Sequence, residues 1–196
     1  MPSLWAFERR RNLYANHLFE WREKAGFVEL LVVSLFFVAL MGLAAQLRIY
    51  LPFTPVPFTG QVLVVLVAGF ILGRFGVVST GTYLVLGSIM GWFSAGSGIS
   101  ALTGLTAGYL FGFLAATIII GEFAQRRREW SFMQILGLMI LGEAIILIMG
   151  SWWLSALLGI NLIKAVYIGI LPFLAVDALK VIIASSIVYG ITPRPT

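Results

Sequence analysis

The chain has 196 residues, 60% hydrophobic and only 11% charged, with a formal net charge of +5. Soluble domains carry about 25% charged residues, so this composition belongs to a chain that crosses a membrane several times. There is no cysteine and one histidine, His17, which excludes disulfide scaffolds, thiol catalysis, His/Cys metal clusters and His-based triads.

Residues 1–26 begin "MPSLWAFERRRNLYANHLFEWREK". Charges run through the whole stretch and no small-residue cleavage site follows a short apolar core, so it reads as a retained interfacial helix rather than a signal peptide. Leu4, Phe7, Tyr14, Leu18 and Trp21 share one apolar stripe, with Arg9, Arg10 and Arg11 snorkelling toward headgroups. Residues 27–192 read as an all-α integral membrane domain, a compact bundle of six transmembrane helices over 27–47, 60–74, 76–92, 104–123, 132–158 and 169–191; residues 193–196 form a cytoplasmic tail. The second and third spans are short and break at "LGRFG", where Gly73 and Gly76 flank Arg74 and predict a tight hairpin. The uncharged "WFSAGSGISALTG" before the fourth span reads as a lid-like loop. Glycines at four-residue spacing (Gly69/Gly73, Gly87/Gly91, Gly104/Gly108, Gly108/Gly112) predict close helix packing.

Orientation follows from the basic residues. Six spans put both ends on one side, with Arg9, Arg10, Arg11, Arg22, Lys24, Arg74, Arg126, Arg127, Arg128 and Arg194; the other side holds Arg48 and Lys164. The positive-inside rule therefore places both termini in the cytoplasm. Basic residues lying between apolar runs, rather than along one solvated face, argue against a nucleic-acid partner.

Within the last span, "LPFLAVDALK" carries the only charges between Lys164 and Arg194. Asp177 and Lys180 fall about 10–15 Å along that span from its outer start, and Glu143 about 17 Å from the cytoplasmic start of the fifth. The two helices run antiparallel, so Glu143 and Lys180 can share one depth. Each central charge costs about 2.5–3.5 kcal/mol unless paired or hydrated. An ion pair of purely structural role is one solution. A polar pocket open to the exterior is the other. There Asp177 accepts hydrogen bonds from N–H donors, Lys180 meets an anionic group, and Glu143 either supports the site by holding Lys180, the preferred reading, or lines the cavity itself. Gln61, Tyr83, Phe93 and Tyr109 are the other candidate binding residues at this depth. The chain has no GxxxxGK[ST], no catalytic constellation and no metal cluster, so neither an enzyme nor a resident cofactor is expected.

"TPVPFTGQ", "GLTAGYLFGF" and "LPFLAVDALK" resemble, in order, signature blocks of the BioY family, the biotin-specific substrate-binding (S) components of energy-coupling factor transporters. The resemblance runs from about residue 36 to 190. It implies a cytoplasmic-membrane protein that captures biotin from outside, with a transmembrane coupling protein and two cytoplasmic ATP-binding-cassette ATPases supplying the energy. It matches Asp177 and Lys180 to the family's acidic and basic pair and Gln61 to its glutamine. Departures are Leu105 in place of a proline, "GWFSAGSG" in place of the family's lid, and a first helix whose Ala39, Gly42, Ala44 and Ala45 lack an Ala-xxx-Ala spacing. The residues alone also suit an S component for another vitamin, an ion- or proton-coupled carrier with Glu143 and Asp177 as relay, or a membrane scaffold.

Overall fold

The computed structural model describes residues 19–93 and 96–193. The interfacial stripe from Leu4 to Leu18 with its arginines, part of the lid-like loop, and the tail beyond Pro193 lie outside the described residues. Residues 19–24 are helical. There Phe19 is buried, and Arg22 donates to the carbonyls of Phe70 (3.1 Å) and Ala124 (3.2 Å).

The described chain is helical almost throughout. In order come α1 (Phe27–Gln46), a two-residue hairpin of β1 (Arg48–Ile49) and β2 (Phe58–Thr59), α2 (Gln61–Leu72), α3 (Gly76–Met90), α4 (Ile99–Thr103), α5 (Ala107–Arg126), α6 (Phe132–Leu158), α7 (Leu162–Gly169) and α8 (Leu174–Ile191). Among the described residues five stretches are long and apolar enough to cross a membrane: Phe27–Gln46, Gln61–Met90, Ala107–Arg126, Phe132–Leu158 and Leu174–Ile191. Apolar side chains such as Val28, Val32 and Phe36 on α1, Ile148 and Trp152 on α6 and Leu179 on α8 face outward. A helix apolar on its outer face as well as its inner one has hydrocarbon as its solvent.

The stretch Gln61–Met90 does not run straight. Gly73 takes φ +60°, a conformation that a side chain resists, and a 3-10 turn over Gly73–Phe75 reverses the chain. A Cβ on Gly76 would stand 3.0 Å from the Cα of Gly69. Both ends of the stretch return to the Gln46 end of α1: Gly60 N–H donates to Ala44 O (3.2 Å), and Arg48 Nη2 donates to Trp92 O (3.0 Å). The break read at "LGRFG" is therefore a reversal of direction.

Small residues set the spacing elsewhere. A Cβ on Gly108 would overlap Trp153, and one on Gly112 would lie 2.8 Å from Ile146 Cα, so α5 and α6 touch backbone to backbone. Met41, Val65, Leu66, Tyr83, Ile120, Met139, Ile146 and Leu154 fill the core between the helices. Two connections fold more than expected: α4 occupies part of the lid-like loop, and α7, capped by Asn161 accepting from Lys164 N–H (2.8 Å), occupies the segment after α6.

The last span also differs from its expected start at residue 169. α8 begins at Leu174 because Pro172 disfavours helical backbone at Leu171, and residues 170–173 form a turn instead. Asp177 thus sits in the first turn of α8. The pair lies about 5 and 9 Å into this helix, not 10–15 Å.

Candidate ligand-binding site

A cavity with about 50 Å³ of room for water, or about 600 Å³ when all the space between its walls and the open mouth is counted, opens at the Gln46 end of the bundle. Its walls come from the end of α1, the β1–β2 connection, α2, the segment after α3, α5, α6 and α8. Of the seven residues singled out from sequence, six line it: Gln61, Phe93, Tyr109, Glu143, Asp177 and Lys180.

Asp177 and Lys180 form an ion pair at 2.7 Å, with their side chains 5% and 14% exposed. The first turn of a helix favours an anion, which suits Asp177. Pairing offsets part of the desolvation of both ions and leaves further oxygen and N–H positions for a ligand.

Gln61 opens α2, and its side chain is held from both sides. Its Nε2 donates to Tyr83 Oη (2.5 Å), and its Oε1 accepts from Thr59 Oγ1 (3.1 Å). Tyr83 itself is fully buried and absent from the cavity wall. Its ring packs between Trp92 (6.0 Å, stacked) and Phe93 (5.4 Å, edge-on). Tyr83, expected among the binding residues, stands behind the wall in this structure, on α3, where its hydroxyl accepts from Gln61.

The two aromatic wall residues are seated by glycines. A Cβ on Gly87 would stand 2.5 Å from the Phe93 ring, and one on Gly150 would overlap the Tyr109 ring. The Tyr109 hydroxyl donates to Gly169 O (2.7 Å), which joins α5 to the end of α7. Thr54 Oγ1 donates to Ile168 O (2.6 Å) and ties the β1–β2 connection to the same place.

Glu143 lies on the wall but does not hold Lys180, whose ammonium is on Asp177. The Glu143 carboxyl lies within hydrogen-bonding reach of that of Asp177, and no N–H or hydroxyl group among the described residues donates to it although the residue is only 6% exposed. Helix rotation decides this, since Glu143 and Lys180 can share a depth without facing each other.

Sequence reasoning missed Arg48, Trp92 and Phe173, all on the wall. Arg48 was legible only as a loop cation. Phe173 follows Pro172 in the quoted motif and packs on Phe58 at 4.7 Å. A second groove of about 750 Å³, almost wholly apolar, runs between α6 and α8 on the outside and reaches Glu143 and Asp177 from behind.

The cavity is chemically two-sided. One region presents two carboxyls, an ammonium and an amide; the rest is aromatic and aliphatic, with a guanidinium among the lining residues from the end of α1 and its following hairpin. That suits a small molecule with N–H donors and a carbonyl on an apolar body. Among the described residues no group of three or more His, Cys, Asp or Glu could hold a metal.

Comparison with known proteins agrees with the geometry. A biotin transporter BioY of Thermotoga maritima is 34% identical over 77% of this chain and 88% of its own length. A probable biotin transporter BioY of Pyrococcus horikoshii is 35% identical over 78% and 88%. A crystal structure at 2.1 Å of the S-component for biotin from an ECF-type ABC transporter superposes with a TM-score of 0.75 at 28% identity, covering 82% of this chain and 89% of that one. The BioY family matches residues 15–195, which takes in the whole of the described bundle and every residue of the cavity wall, and the chain belongs to that family.

Proposed function

We propose that this multi-pass membrane protein is a biotin-capturing S component of an ECF-type transporter, working with a transmembrane coupling protein and two cytoplasmic ATPases. The observation that carries it is the buried Asp177–Lys180 pair, set on the wall of one cavity with Gln61, Phe93 and Tyr109, in a chain whose relatives are biotin transporters.

The reversal at Gly73 supports six crossings, by α1, α2, α3, α5, α6 and α8. The cavity mouth lies at the end that carries Arg48 and Lys164, and the opposite end carries Arg22, Lys24, Arg74 and Arg126–Arg128. The positive-inside rule then turns the mouth outward and leaves both termini in the cytoplasm. The ureido ring of biotin meets Asp177 on its N–H side and meets Lys180 and Gln61 through its oxygen. Phe93, Tyr109 and Phe173 cover the thiophane, and the valerate carboxylate points to Arg48. Capture is binding without covalent chemistry, with no resident cofactor in this chain. ATP acts only on the partner ATPases, which shift the loaded protein toward an inward-open state.

Calorimetry of the purified protein with biotin, desthiobiotin and thiamine tests the ligand. Biotin should bind tightest. Lys180→Ala and Asp177→Asn should each weaken it by about a hundredfold, the scale of a lost charge-assisted contact. Wild-type affinity in both variants rejects the site. Because the chain lacks cysteine, single cysteines at Arg127 and Lys164 test the sidedness. An impermeant maleimide should label position 164 on intact cells and position 127 only after permeabilisation; the reverse pattern overturns the topology.

A further inference from the structure

The cavity holds two carboxyls and one lysine. The Lys180 ammonium donates to Asp177 at 2.7 Å. The other cation on the wall, Arg48, is turned to the carbonyls of Ala45 and Trp92 and to Gln46 Oε1. No N–H or hydroxyl group among the described residues donates to Glu143, which is 94% buried, lines the cavity and lies within hydrogen-bonding reach of the Asp177 carboxyl. Its depth is fixed by the backbone, because a Cβ on the preceding Gly142 would stand 2.5 Å from Ile120 Cδ1 and 2.9 Å from Leu66 Cδ2. The side chain is therefore not on a mobile segment that could carry it to water.

A buried carboxyl whose polar partner is a second acid is an unfavourable arrangement in a folded protein, and an apolar residue of similar size would remove the penalty. The deficit is confined to one place: two adjacent acidic groups on the cavity wall, with the one ammonium committed to Asp177. A ligand that brings a pair of N–H donors supplies what is missing.

We propose that Glu143 is a second recognition carboxylate, taking one ring N–H of a cyclic urea while Asp177 takes the other. The assignment rests on the biotin reading above and deepens it. It makes the site selective for rings with two N–H donors, and it gives Glu143 a direct contact in place of a supporting role toward Lys180.

The test compares wild type, Glu143→Leu and Glu143→Gln by thermal unfolding of the empty protein and by calorimetry with biotin and with 2-iminobiotin, in which a guanidinium replaces the urea. Glu143→Leu should leave the empty protein at least as thermostable as wild type while biotin affinity falls tenfold or more. Glu143→Gln keeps the shape and one acceptor but cannot ionise to meet a cation. It should therefore weaken the cationic analogue at least fivefold more than it weakens biotin. Wild-type biotin affinity in Glu143→Leu overturns the proposal, as do equal proportional losses for the two ligands in Glu143→Gln, which would mark a structural role. If Glu143→Leu does not fold, the Glu143→Gln comparison decides alone. Loss of binding in Lys180→Ala and Asp177→Asn with none in the Glu143 variants removes this inference and leaves the function. Absence of biotin binding by wild type removes both.

Discussion

The two ends of the molecule carry ion pairs of the same length in opposite surroundings. At the Gly73 end, Arg74 Nε meets Glu122 Oε2 at 2.7 Å and Arg126 Nη2 meets Oε1 at 3.2 Å, with the arginine side chains 69% and 62% exposed. Arg128 and Glu23 form another exposed pair there. At the cavity end, Lys180 meets Asp177 also at 2.7 Å, but both groups are nearly sealed from solvent. Distance does not separate these pairs; solvation does. An exposed pair contributes about 0–1 kcal/mol and is readily replaced, whereas a buried one holds two ions that neither hydrocarbon nor packed protein tolerates alone.

The largest expected effect is on the buried pair. Lys180→Ala or Asp177→Leu leaves one unpaired ion and should lower stability by about 3–5 kcal/mol, read as a fall in unfolding temperature of the empty protein. The double replacement Asp177→Leu/Lys180→Met should recover most of that stability yet bind no biotin, which separates folding from function. If the double variant is as unstable as either single one, the pair is structural cement and the contrast between the two ends fails.

A smaller effect is expected behind the aromatic wall. Gly150→Ala drives a methyl into the Tyr109 ring. It should destabilise by about 1–3 kcal/mol and weaken biotin in calorimetry as the ring shifts. Smaller again is Tyr83→Phe, which removes the acceptor of the Gln61 amide. A loss of about 1 kcal/mol in binding, roughly fivefold in affinity, is the expected result. Unchanged affinity would mean that Gln61 does not meet the ligand. The smallest effect belongs to the other end. Arg74→Ala should cost less than about 1 kcal/mol and leave biotin binding as it was.

Much of the architecture was legible because the bilayer allows so few solutions. Apolar length announces a helix, and a charge inside such a run announces a partner or a cavity, as with Asp177 and Lys180. The reversal at Gly73 was legible as well, since "LGRFG" puts glycines on both sides of an arginine between two short apolar runs. The delayed start of α8 could have been read from Pro172, but the apolar run continues through it and hydrophobicity alone extends the helix too far.

The facing of residues around each helix was not legible. Tyr83 turned out to stand behind Gln61, Glu143 beside Asp177 instead of on Lys180, and Arg48 on the wall instead of merely in a loop. In a soluble helix the polar face reveals which side points inward. A membrane helix is apolar on every side, so periodicity carries almost no record of its rotation. Composition and pattern alone determined that this chain lives in a membrane, which stretches are long and apolar enough to span it and which ions need an explanation. Only the packed structure decided which of those ions meet, because glycine contacts such as Gly108 on Trp153 and Gly142 on Ile120 set the rotation and depth of each helix.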